Sequence, residues 1–203
     1  MKKVNLYTNY KQIVLASSSK TRINFLKKHF NKVLAVGHKV KENDIKDKNK
    51  RLSFIDLVKL LAKKKAESIM KDYPKNIIIG SDQILVCKEK LINKSNSLLE
   101  AKKNLINLRG EKHTLISSIY VIKNKKLYFE ETKEAHILFK MISTKKIDAY
   151  VKEKKEDILL SVGSYRIEDN HNYNFLEVLS GDYETIIGFP LKNLKNKFLQ
   201  DTT

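Results

Sequence analysis

Cysteine is nearly missing from this chain of 203 residues: Cys87 stands alone, which excludes an internal disulfide and any multi-cysteine metal site. Its place in an apolar run reads as a small buried hydrophobe. With only 6 glycines and 2 prolines there is no composition for a long disordered linker. No apolar run approaches the length of a membrane span. The first ten residues, MKKVNLYTNY, are basic but lack an apolar core and a cleavage site; secretion is not expected, and a reducing cytoplasm fits. Acidic residues are also scarce: 23 Asp and Glu stand against 41 Lys and Arg, a net +18. Such an excess invites a nucleic-acid reading. The lysines, however, are spread over every segment instead of forming one stripe, in a sequence rich in Lys, Asn and Ile throughout. A positive field would equally attract small phosphorylated molecules. The length suits one generous domain or two small lobes sharing a core.

What is present is a regular alternation of elements. Ile13 to Ala16 reads as a short strand running into Ser17-Ser18-Ser19 and a helix with Ile23, Leu26 and Phe30 on one face. Lys32 to Val36 reads as a second strand, and the polar stretch His38 to Arg51 as a mobile loop. Ser53 with Asp56 opens a long helix whose stripe is Phe54, Leu57, Leu61 and Ile69. Pro74 ends that region, and Ile77 to Cys87 (IIIGSDQILVC) has the continuous apolar character of a strand buried on both faces. Lys88-Glu89-Lys90 would reverse it into Leu91-Ile92. Ser97 and Glu100 start a helix to about Leu108, with Gly110 as its stop. His113 to Ile122 and Leu127 to Glu131 read as strands paired around Asn124, Ala135 to Met141 as another strand, and Ser143 as the start of a helix to about Lys154. The remainder alternates loop, strand, loop and helix. Such alternation predicts an α/β fold with a mixed sheet; no internal repeat is visible.

Two segments carry possible chemistry. Leu15-Ala16-Ser17-Ser18-Ser19-Lys20-Thr21-Arg22 ends a strand in small hydroxyl residues at a helix start, where backbone N–H groups are unused and Arg22 adds a donor for phosphate oxygens. A serine in that place is also an ordinary N-cap. The second is Gly80-Ser81-Asp82-Gln83. A carboxylate amid isoleucines needs compensation: it can be a structural cap, an ion-pair partner of a lysine, a metal ligand or a general base. Lys65 and Lys94, taken alone, read as solvated. No G-x-x-x-x-G-K-[ST], G-x-G-x-x-G or H-E-x-x-H is present. The five histidines have no metal-ligand spacing, and His113 reads as a hydrogen-bonded strand residue.

Taken in order, from Ile13 to about Leu191, these segments resemble the Maf family of nucleoside triphosphate pyrophosphatases. The family's L-A-S-x-S-P-R-R is matched by residues 15–22, V-D-E by Val40-Lys41-Glu42, and L-A-x-x-K-A by Leu61-Ala62-Lys63-Lys64-Lys65-Ala66. G-S-D-Q is matched by residues 80–83, the G-K-P lysine by Lys94, and L-x-G-x-x-H by Leu108 to His113. The closing signatures correspond to Gly163-Ser164-Tyr165, Ser180-Gly181-Asp182-Tyr183 and Gly188-Phe189-Pro190-Leu191. Lys20 and Thr21 replace the family's proline and first arginine, and Asn93 and Ser95 flank Lys94 where glycine and proline are usual. Gln83 and Glu168 match the branch that prefers 7-methyl-GTP, whereas Thr21 departs from that branch's aromatic residue.

The resemblance implies a single Maf-like domain over residues 1–203: an ITPase-like, elongated, twisted mixed sheet flanked by helices, with two lobes around a cleft. It implies hydrolysis between the α and β phosphates of a nucleotide, with Asp82 as the base. Ser17, Ser19, Arg22, Lys65 and Lys94 would bind phosphate, and Thr21, Gln83 and Glu168 would set specificity. Mg²⁺ or Mn²⁺ would be held by Asp82 and Glu42. Family members are often homodimers. The rival expectations are a non-enzymatic nucleic-acid-binding protein, with Asp82 merely structural, and a degenerate nucleotide-binding module.

Overall fold

A computed structural model describes residues 12–201; the basic N-terminal stretch, read above as carrying no secretion signal, lies outside them. The strands are β1 (Ile13–Ala16), β2 (Val33–Val36), β3 (Ile77–Cys87), β4 (Lys90–Ile92), β5 (Lys112–Lys123), β6 (Lys126–Phe139) and β7 (Leu176–Ser180). They form one sheet in the order β2-β1-β3-β5-β6-β7, with β4 pairing β3. β1 lies parallel to both β2 and β3, while β4 and β7 pair antiparallel, so the sheet is mixed. The helices are α1 (Lys20–His29), α2 (Glu42–Lys48), α3 (Phe54–Glu67), α4 (Leu98–Leu108), α5 (Thr144–Lys154), α6 (Asn170–Tyr173), α7 (Tyr183–Ile186) and α8 (Lys192–Gln200). The α/β class expected from the alternation is what the chain adopts. Among the described residues no helix is long and apolar enough to cross a membrane.

The chain divides into two compact units. The first comprises residues up to 82, 117–133 and those from 187 on. Its core brings Val14, Ala16 and Ile78 of the sheet onto Ala66 and Ile69, with Ile122 beside them. The second comprises 83–116 and 134–186. Its core is aromatic: Phe139 stacks on Phe175 with ring centroids 5.2 Å apart, and Tyr150 meets Phe175 edge-on at 5.0 Å. Leu85, Leu105, Leu108 and Ile137 fill the space around them.

Four helix starts follow the hydroxyl-then-amide logic of an N-cap, those of α1, α3, α4 and α5. Ser53 Oγ accepts from Asp56 N, Ser97 Oγ from Glu100 N, and Ser143 Oγ from Lys146 N. The turn between β3 and β4 holds Lys88 and Glu89 at φ 49° and 60°, and that between β5 and β6 holds Asn124 and Lys125 at 53° and 61°. Both are two-residue hairpin turns with two left-handed residues. Two expectations are corrected. His38 to Arg51 is not simply a loop, because Glu42–Lys48 forms α2, with Glu42 and Asp44 in its first turn and Lys46 and Lys48 in its last, matched to the helix dipole. The strands expected at Leu127 to Glu131 and Ala135 to Met141 are one, β6, since residues 132–134 keep extended backbone across the polar gap.

Candidate active site

The first unit places four charged side chains together. β1 and β3 run parallel in register, with Ala16 opposite Gly80, so the chain leaves β1 beside the point where Ser81 and Asp82 begin. Loops at the carboxyl ends of parallel strands are where α/β sheets bind ligands. Here Ser17 Oγ accepts from Ser19 N (3.2 Å), and Ser19 Oγ caps α1 by accepting from Arg22 N (3.4 Å). Both hydroxyls therefore shape the loop. That cap fixes the first turn of α1, from which Arg22 Nη1 donates to Ser81 O at 3.0 Å. Thr21 is half-buried in the same turn.

Alternation along β3 decides what faces α3. Side chains two apart in a strand share a face, and Gly80 and Asp82 both point at the helix. Residues 62, 65 and 66 share one helix face. A Cβ on Gly80 would meet Ala62 O, and would lie 2.6 Å from Ala66 N and 2.9 Å from Ala66 Cβ; only glycine lets helix and strand approach this closely. The approach brings Lys65 Nζ to 2.5 Å from Asp82 Oδ1. Lys65 and Asp82 are each only 4% exposed. Lys65 Nζ also lies 2.8 Å from Glu42 Oε1, and Glu42 is in turn 3.2 Å from His38 Nε2.

Lys65 is thus not the solvated residue its neighbours Lys63 and Lys64 are. The signal was in the sequence: Leu57, Leu61 and Ile69 leave a vacancy in a four-residue rhythm, and position 65 fills it. α2, missed as an element, is what presents Glu42.

The electrostatics follow from this packing. The His38 imidazole first, and Lys65 with it, hold the Glu42 carboxyl well below the usual carboxylate range against its partial burial. Burial pulls the Arg22 guanidinium down from its ordinary value, while Asp82 and Glu42 push it back up. Two polar atoms here are buried without a hydrogen-bond partner among the described residues, Asp82 Oδ2 and Arg22 Nε. A buried carboxylate oxygen left open is costly. Among the described residues no cluster of three or more His, Cys, Asp or Glu could hold a metal. Asp82 and Glu42 offer a two-carboxylate set of the kind that holds Mg²⁺ together with substrate phosphates, not an all-protein cage.

The remaining candidates lie in the second unit. Lys94 is exposed, on a backbone fixed by a bridge to Val162. Beside it Ser95 Oγ is 2.6 Å from Ser164 Oγ and accepts from Asn104 Nδ2 at 2.9 Å, so serine anchors this loop through hydrogen bonds where the family uses proline. Gln83 Nε2 donates to Thr185 O and Ile186 O, at 3.0 and 2.9 Å. Asp182 Oδ1 accepts from Thr185 N and Oγ1 at 2.8 and 2.7 Å, so Gln83 and Asp182 hold α7 together. Glu168 Oε2 lies 3.9 Å from Arg166 Nε. His113 Nε2 is 2.6 Å from Tyr165 Oη, the hydrogen-bonded role expected for it.

The chain is similar to known proteins along most of its length. The family model described as Maf-like protein matches residues 12–201. A 7-methyl-GTP pyrophosphatase of Bartonella henselae is 32% identical over 179 residues, covering 88% of this chain and 90% of the relative. A nucleoside triphosphate pyrophosphatase of Bradyrhizobium diazoefficiens is 30% identical over 188 residues, covering 93% of each chain. One of Legionella pneumophila is 31% identical over 190 residues, covering 94% of each. Among solved structures, the Ham1 protein of Staphylococcus aureus aligns with a TM-score of 0.46 at 17% identity, covering 95% of this chain and 100% of that one. With its family signatures spread from Leu15 to Leu191 and a family model matched along nearly its whole length, this chain belongs to the Maf family.

Proposed function

We propose that the protein is a nucleoside triphosphate pyrophosphatase. Water attacks the α-phosphorus, the bond from that phosphorus to the oxygen bridging to the β-phosphate breaks, and nucleoside monophosphate and pyrophosphate leave. The observation that carries this reading is Asp82: its Oδ1 is held by Lys65 while its Oδ2 is buried with no hydrogen-bond partner among the described residues. A carboxylate held at one oxygen and unpaired at the other is suited to accept a proton at Oδ2 from a water brought against it with the substrate.

The same cluster meets the electrostatic demand. A triphosphate carries about four negative charges, and its transition state is stabilised by fixed cations in a site with little water. Arg22 has a buried guanidinium edge, Nε, unpaired among the described residues, and fork geometry suited to phosphate oxygens. Lys65 brings a second cation on a flexible stem. Asp82 and Glu42 would hold Mg²⁺ or Mn²⁺, which when bound lowers the pKa of coordinated water and neutralises phosphate charge. The relatives' names support a nucleotide substrate, and Gln83 and Glu168 support including 7-methyl-GTP among the substrates tested.

The test is product analysis on a panel of nucleoside triphosphates, 7-methyl-GTP, UTP and dTTP among them, with and without Mn²⁺. Pyrophosphate and nucleoside monophosphate in equal amounts are expected. Release of orthophosphate and nucleoside diphosphate, or no turnover on any member, overturns the reading.

A further inference from the structure

Lys65 occupies an unusual position for a phosphate-binding lysine, because its ammonium is already committed to the two carboxylates that would hold a cation. It lies 2.5 Å from Asp82 Oδ1 and 2.8 Å from Glu42 Oε1. The formal charges of the cluster cancel: Arg22 and Lys65 against Glu42 and Asp82. Burying carboxylates without such compensation would be strongly unfavourable, and the pairing with Lys65 supplies it. A divalent cation seeking Oδ1 and Oε1 needs the space beside them that the ammonium now fills. An ammonium and a divalent cation crowded onto the same two oxygens repel each other.

We propose that Lys65 is a built-in counter-ion. It holds Asp82 and Glu42 in register while no metal is bound, and yields Oδ1 and Oε1 to the divalent cation. Its long, unbranched stem lets the ammonium turn to phosphate oxygens arriving with that cation, while Asp82 Oδ2, unpaired among the described residues, is left for the proton. This rests on the pyrophosphatase reading for the fate of the released ammonium, but not for the competition itself. The exchange gives the site order without metal and keeps it from binding a bare cation tightly.

The experiment measures Mn²⁺ alone, without nucleotide, by titration calorimetry and by electron paramagnetic resonance of free Mn²⁺. Wild type is compared with Lys65→Met and Lys65→Gln, the second a polar replacement in case the first fails to fold. Removing the competing charge should tighten Mn²⁺ binding by about tenfold or more, and adding Glu42→Gln to the same chain should abolish the gain. In thermal unfolding the Lys65 variants should be less stable than wild type without metal, and should gain more from saturating Mn²⁺. Equal or weaker Mn²⁺ affinity in a folded Lys65 variant overturns the proposal. Failure of the nucleotide panel would overturn the pyrophosphatase reading and leave the Mn²⁺ comparison intact, so the two failures are distinguishable.

Discussion

Replacing Asp82 by asparagine keeps the side chain's shape and removes both its charge and its capacity to take a proton. Lys65 retains Glu42 as a partner, so the variant should fold, with a stability loss of about 1–3 kcal/mol from the weakened buried pair. Turnover should fall by about 10² to 10⁴; a folded variant with unchanged turnover would remove Asp82 from the reaction. The suspicion attached to Asp82 was legible because a carboxylate among isoleucines violates the apolar pattern. Its partner was less so. Lys65 is followed through a turn and a proline before the strand begins, and a lysine after two lysines looks like solvent-facing repetition until its place on the helix stripe is counted. His113 makes a second case at this scale. Burial lowers its pKa to about 4, the Glu111 backbone opposing, whereas the unfolded chain protonates near pH 6.5. Between those values the unfolded state binds more protons, so stability is full above about pH 6.5 and is lost as pH falls towards 4. The loss is on the order of 3 kcal/mol. Denaturant unfolding at pH 7.5 and pH 5 should show a smaller difference in His113→Gln than in wild type; equal differences would mean His113 does not carry it.

The decisive contact between elements is α3 against β3. A methyl group at Gly80 collides with backbone atoms of Ala62 and Ala66, which cannot rotate away as a side-chain tip would. Gly80→Ala should therefore cost about 1–3 kcal/mol by overpacking, and by shifting α3 it should lengthen the Lys65–Asp82 contact and lower turnover with it. Gly37→Ala is the control, since a Cβ there meets nothing within 4 Å, and its stability should stay within about 0.5 kcal/mol of wild type. Equal melting temperatures for all three proteins would show that the approach is not close. Elements with strong local grammar were readable in advance. β1 and β3 come from apolar runs, and the starts of α3, α4 and α5 from serine caps. α2 was not, because seven residues with no buried side chain have no apolar stripe; the segment reads as loop on composition although its charges suit a helix dipole. β6 was divided because its polar centre, Glu131 to Glu134, interrupts the apolar signal while backbone pairing continues.

For the whole molecule the question is what a net charge of +18 does. Many lysines are already paired on the surface: Lys39 with Asp72, Lys64 with Glu67, Lys88 with Glu111 and Lys102 with Asp148. Such pairs leave a diffuse positive field, not an aligned row of donors. A protein neutralising several phosphates of duplex DNA at once loses affinity with salt at a slope of about −0.9 per phosphate. Dispersed charges engage few phosphates simultaneously, so the slope here should be shallower than about −4 by that relation. Duplex DNA at physiological salt should then leave nucleotide turnover unchanged, whereas inorganic triphosphate, which matches Arg22 and Lys65 without a base, should compete. Retention on a polyanion column against rising salt measures the first quantity and inhibition kinetics the second. A slope near −6 to −10, together with inhibition of turnover by DNA, would mean that the lysines form a true polynucleotide track and that the buried cluster at Asp82 is not the protein's principal anion site. The geometry argues the other way: surface lysines can be exchanged for one another with little loss, whereas Arg22 and Lys65 are fixed by Ser81, Glu42 and Asp82 and cannot be replaced from elsewhere on the chain.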